Sequence, residues 1–104
     1  MRVPEEFNHF CSEFYCSQLF MDVDDGSMGK AIKRAIRSLN KQQTLVVKQF
    51  LDKLLNGRYS GADLVGIWRR TPARMNLGNA KHTVEYLKLM RDLMSERLAN
   101  RLPT

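Results

Sequence analysis

Apolar side chains recur at spacings of three and four residues along most of the chain, the period of an amphipathic α-helix. The first stripe follows Pro4, Glu5 and Glu6 and predicts a helix from Pro4 to about residue 21, because proline and carboxylates favour a first helical turn. Later stripes predict helices around residues 32–39, 45–55, 64–68 and 84–98. No stretch alternates long enough to predict a strand. The chain is therefore predicted to be all-α, a single compact bundle of about five helices.

Cap and turn signals separate these stripes. Residues 40–43 and 60–63 resemble capping boxes, with Asn for Ser or Thr in the first and Asp for Glu in the second. Asn56 and Gly57 tolerate the left-handed conformation that ends a helix, and Asn79 can cap the last helix. The third helix is the most apolar and is predicted to be central.

Composition describes an ordinary globular domain. The 104 residues are 43% hydrophobic and 27% charged, which is too apolar for a disordered chain and suits one domain over residues 1–104. No apolar run approaches the ~20 residues that cross a bilayer, and acidic residues interrupt the N-terminus where a secretory signal would be apolar. We expect a cytoplasmic protein that makes no use of a membrane.

Charge is divided unevenly along the chain. Residues 1–25 hold six carboxylates and one cation, a net of −5, whereas residues 26–104 hold sixteen Lys and Arg and five carboxylates, a net of +11; together they give +6. Such asymmetry predicts recognition by electrostatic docking.

Basic residues form two candidate clusters. The first is predicted on the second helix and comprises Lys30, Lys33, Arg34, Arg37 and Lys41. The second, Arg69, Arg70 and Arg74, adjoins Trp68. Both clusters could neutralise phosphates, could dock a protein, or could be the solvated faces of amphipathic helices. Trp68 and the methionines of the last helix, Met90 and Met94, also suit the core.

Three acidic residues in the first break resemble part of a calcium loop. They are Asp22, Asp24 and Asp25. The calcium register fails, because Lys33 occupies the position of the bidentate carboxylate if Asp22 is the first ligand. A solvated turn or a docking patch for a basic partner is favoured.

Other chemistry finds little support in the sequence. His9 and His82 have no metal-binding partner at helical spacing, and no nucleophile and base are paired, so we expect no metal, no cofactor and no enzymatic activity. Cys11 and Cys16 are five residues apart in the predicted first helix, on faces that do not meet, and are expected to be free thiols.

Two stretches resemble small helical immunity proteins of bacterial contact-dependent growth inhibition systems. One is Leu19-Phe20-Met21-Asp22-Val23-Asp24 after an aromatic helix; the other is the leucine helix at residues 51–55, followed by Tyr59-Ser60-Gly61-Ala62-Asp63-Leu64 and Trp68. A loop containing Gly78 and a closing amphipathic helix complete a likeness over residues 14–98, with departures from the family pattern at Met21 and Val23.

This resemblance implies a cytosolic antidote that binds a toxin domain and blocks its active site or cofactor entry. The contacts that it suggests are the acids at residues 22, 24 and 25 and the Trp68, Arg69, Arg70 and Arg74 group. A small basic nucleic-acid-binding protein or transcriptional regulator is the alternative, and an adaptor for a partner helix is a third reading.

Overall fold

The computed structural model describes residues 3–14, 27–73 and 77–99. Within them the chain forms five helices and no strand: α1 (Glu5–Ser12), α2 (Ser27–Arg37), α3 (Lys41–Leu54), α4 (Gly61–Arg69) and α5 (Ala80–Ala99). The predicted all-α bundle is confirmed.

The first helix is shorter than its apolar pattern predicted. Pro4 is the N-cap of α1, and Glu5 and Glu6 occupy the first turn. The helix ends at Ser12, although Phe14 beyond it is fully buried. An apolar residue can therefore continue the helical spacing after the helix has ended, because burial requires only that the chain return its side chain to the core. The prediction of one unbroken helix from Pro4 to about residue 21 was wrong, because α1 ends at Ser12; residues 15–26 lie outside the described part.

The predicted caps are confirmed. Asn40 accepts from the backbone N–H of Gln43, whose side chain accepts from the N–H of Asn40, both at 2.8 Å. Ser60 and Asp63 form the same reciprocal pair at the start of α4. Asn79 accepts from the N–H of His82 at 2.9 Å. These bonds satisfy helix-terminal donors that would otherwise need water, and so fix where α3, α4 and α5 begin.

The last helix, and not the third, packs against the most neighbours. α5 lies against α2, α3 and α4, whereas α3 packs mainly against α1 and α5. The difference follows from length, because the 20 residues of α5 extend about 30 Å and can contact several shorter helices.

Aromatic rings join α1, α3 and α4 in the core. Phe7 of α1 lies 4.8 Å from Phe50 of α3 and 6.5 Å from Trp68 of α4 between ring centroids. Phe14, just beyond α1, lies edge-on to Trp68 at 5.6 Å. Trp68 is only 4% exposed, and Met90 and Met94 are fully buried. Their predicted place in the core is confirmed. No helix in the described ranges is long and apolar enough to span a membrane.

Candidate docking surfaces

Part of the predicted contact set lies outside the described residues. This part comprises the three acidic residues Asp22, Asp24 and Asp25, together with Arg74. Trp68 is buried, so it packs α4 against the core and is not itself an exposed contact. Arg69 and Arg70 are the exposed residues of that cluster.

The basic cluster of the second helix is exposed, with one correction. Lys30, Lys33, Arg34 and Arg37 lie on the solvent side of α2, while Ile32 and Ile36 are among the residues that it buries. Lys41 is the first residue of α3, because the Asn40 capping box begins a new helix there. Arg34 also serves the fold, since its guanidinium donates to the carbonyl oxygen of Glu13 at 3.4 Å.

A recess of about 360 Å³ lies between α2 and α5, and we call it the α2–α5 groove. It is lined by Lys33, Ile36, Arg37, Leu93, Glu96 and Arg97. Within the described part of the chain, no carboxylate forms an ion pair with the three cations. The groove therefore combines an apolar floor with a mostly cationic rim. Arg97 was missed at the sequence level, because its nearness to α2 depends on how two distant helices pack.

A second recess, of about 490 Å³, lies along α4 and the loop before it, and we call it the α4 recess. It is lined by Arg58, Tyr59, Ala62, Asp63, Gly66, Ile67 and Arg70. Of the predicted pair of exposed arginines, only Arg70 borders this recess. The structure thus separates two neighbouring cations that the sequence had grouped together.

Local geometry positions the residues of the α4 recess. Gly57 adopts a φ of +96°, and the N–H of Arg58 donates to the side-chain oxygen of Asn56 at 3.0 Å, so a tight turn delivers Arg58 to the recess. Asp63 accepts from the N–H of Ser60 at 3.0 Å. Its carboxylate is therefore partly engaged by the helix cap. The Asn-Gly signal for this turn was visible in the sequence, although its link to a recess was not.

Cys11 is buried and takes no part in either recess. Removal from water raises the pKa of its thiol strongly, since burial penalises the thiolate; a hydrogen bond with the Thr71 side chain acts in the opposite direction. The expectation of a free thiol is confirmed for Cys11, and Cys16 lies outside the described residues. Among the residues that the structure covers, no three His, Cys, Asp or Glu side chains group as metal ligands would.

Comparison of the chain with protein-family models, with curated proteins and with solved structures gave no match. The resemblance to immunity proteins therefore rests on the residue patterns given above, and membership of that family stays a prediction.

Proposed function

We propose that this protein is a cytoplasmic immunity protein, which acts by docking onto a cognate toxin domain and not by catalysis. The observation that carries the proposal is that exposed cations border two recesses, each of which also presents partly buried apolar side chains. Such surfaces suit a protein partner that presents carboxylates around apolar side chains. The family resemblance supplies the class of partner.

The composition of the recesses favours protein over nucleic acid. A phosphate backbone is bound chiefly by cations and hydrogen-bond donors, and it offers no donor and no apolar side chain in return. Each recess includes a carboxylate that can accept a hydrogen bond only from a partner with donors, such as a protein main chain: Glu96 in the α2–α5 groove and Asp63 in the α4 recess. Partly buried aliphatic side chains, Leu93 in the first and Ile67 in the second, offer contacts that an acidic protein segment can use.

Binding by such a surface has a defined physical course. The net charge of +6 speeds encounter with an acidic partner, arginines pair with carboxylates in a bidentate geometry, and apolar contacts slow dissociation. The antidote action would then follow from covering the active site or cofactor entry of the toxin.

Nucleic acid is the second candidate because Lys30, Lys33 and Arg37 are exposed together on one short helix. If the protein neutralised about six phosphates, its affinity would fall about 10³-fold between 50 and 200 mM salt. Protein docking that uses apolar contact should depend less steeply on salt.

The test starts with capture by the tagged chain from its native cells, with and without nuclease. Arg37→Glu and Arg70→Glu each alter one recess, and Lys53→Glu is a control of equal charge change on exposed α3 surface. The captured protein's separable domain is then produced in a host with and without the chain. Growth arrest that co-production relieves supports the proposal, and weaker relief by a recess variant locates the contact. Recovery of nucleic acid alone, or of proteins that vanish with nuclease, contradicts it.

A further inference from the structure

α4 contains two glycines, and only one is explained by packing inside the molecule. A Cβ added to Gly61 would lie 2.8 Å from the Cβ of Ala80 and 3.4 Å from its carbonyl oxygen, so glycine permits the close approach of α4 to α5. A Cβ added to Gly66 would meet no atom within 4 Å. Glycine is unfavourable in a helix interior, and nothing within the described fold requires it at Gly66.

Gly66 lies on the open face of its helix. Ala62, Gly66 and Arg70 are four residues apart, so they form one row along α4, and all three line the α4 recess. Leu64 and Trp68 face the core instead. Ala62 and Gly66, the two small residues of this row, place no long side chain over the helix backbone at the middle of the recess.

We infer that Gly66 is the point where an acidic segment of a partner protein lies directly against α4. A side chain at this position would hold such a segment away from the helix, which gives a reason for keeping a glycine despite its cost to the helix. This inference deepens the docking function proposed above and rests on it for the class of partner.

Charge complementarity defines the occupant. Arg58 and Arg70 border the recess, both are exposed, and no carboxylate in the described ranges forms an ion pair with either. Asp63 already accepts a hydrogen bond at the helix cap. Tyr59 and Ile67 add partly buried apolar surface. The matching segment carries at least two carboxylates around an apolar side chain, and its main chain passes over Gly66.

The test is a titration of the ¹⁵N-labelled chain with a synthetic peptide of about 20 residues in which Asp and Glu flank leucines. Binding is measured by NMR from the changes in the amide chemical shifts. A peptide with Asn and Gln in place of the acids is the control for charge. Gly66→Leu changes shape without charge; an added Cβ there meets no atom, and the melting temperature of the variant checks that the rest of the side chain leaves the fold intact. Arg70→Glu removes a recess cation, and Arg69→Glu makes the same charge change beside the recess.

The expected result is a set of shifts in residues 58–70 with the acidic peptide alone, with affinity about tenfold or more weaker in Gly66→Leu and Arg70→Glu than in Arg69→Glu. Wild-type affinity of Gly66→Leu, shifts confined to α2 and α5, or no binding of the peptide would overturn the inference. A DNA oligonucleotide of equal charge that binds the same residues more tightly would overturn it too. Failure of the proposed docking function would be seen in a different experiment: the wild-type chain would capture no protein that survives nuclease treatment.

Discussion

The glycines of α4 give a matched pair of predictions at the scale of single residues. Gly61→Ala should destabilise the fold by about 1–3 kcal/mol, because the added methyl collides with the Ala80 Cβ at 2.8 Å and neither backbone can yield cheaply. Gly66→Ala should stabilise it by about 0.5–1 kcal/mol, since the methyl meets no atom and alanine favours the helix. Urea denaturation monitored by circular dichroism measures both. Equal effects of the same sign would contradict the packing described here.

Cys11 gives a prediction about pH. Burial raises the pKa of its thiol, so the folded protein keeps a proton that the unfolded chain loses above its ordinary pKa of about 8.5. Stability is therefore fully present below that pH and falls as pH rises. Between pH ~8.5 and ~9.5 the wild-type chain should lose about 1 kcal/mol more of its unfolding free energy than Cys11→Ala, which has no thiol there to titrate. Parallel curves for the two proteins would exclude this coupling.

Periodicity alone misjudged individual positions in α3. Leu45 was placed in the apolar stripe and is 38% exposed, whereas Thr44 was passed over and is fully buried. Thr44 can be buried because its hydroxyl donates to the carbonyl oxygen of Asn40 at 2.8 Å, which satisfies the polar atom within its own helix. The hydroxyl of Thr71, just after α4, likewise donates to the carbonyl oxygen of Trp68. A threonine whose hydroxyl is bonded to a nearby backbone carbonyl can be buried like an apolar residue. A hydropathy pattern does not predict this, because it treats threonine as polar wherever it lies.

At the scale of elements, the caps were predictable and the helix contacts were not. A capping box depends on four consecutive residues, so residues 40–43 and 60–63 were sufficient to locate the starts of α3 and α4. The end of α1 and the placing of Arg97 and Lys33 around one groove depend on how distant segments pack. The candidate site therefore followed from sequence only as two groups of cations, and its recesses required the folded chain.

The cap of α4 should contribute to both stability and docking. Ser60→Ala removes the acceptor for the N–H of Asp63 and should cost about 1 kcal/mol, while Ser60→Asn should restore most of it. α4 has nine residues, so loss of its first turn also disturbs the recess that Asp63 and Gly66 line. Denaturation midpoints of the three proteins check the prediction. An alanine variant as stable as the wild type would show that the cap adds nothing.

At the scale of the whole molecule, like charges are concentrated on the exposed side of α2. On α2, Lys30 and Arg34 are four residues apart, as are Lys33 and Arg37, a spacing at which like charges repel. The ion pair between Lys48 and Asp52 at 2.8 Å shows the opposite arrangement on α3. Arg34 also bonds the carbonyl oxygen of Glu13, but repulsion between Lys33 and Arg37 only weakens α2. The docking function proposed above gives a reason for that pair, whereas stability alone would favour alternating signs.

Lys33→Glu separates stability from docking. It replaces repulsion by attraction toward Arg37 and should stabilise the fold by about 0.5 kcal/mol at low salt, with a smaller gain in high salt, where charges are screened. The same change should weaken capture of the acidic partner, because it places a carboxylate on the rim of the α2–α5 groove. Lys53→Glu lowers the net charge equally, from +6 to +4, yet lies outside both recesses and should leave capture nearly unchanged. If the Lys33→Glu protein is more stable and still captures its partner at wild-type affinity, the α2–α5 groove is not part of the docking surface. If it is more stable but no longer captures the partner, α2 keeps its repulsive charges for binding.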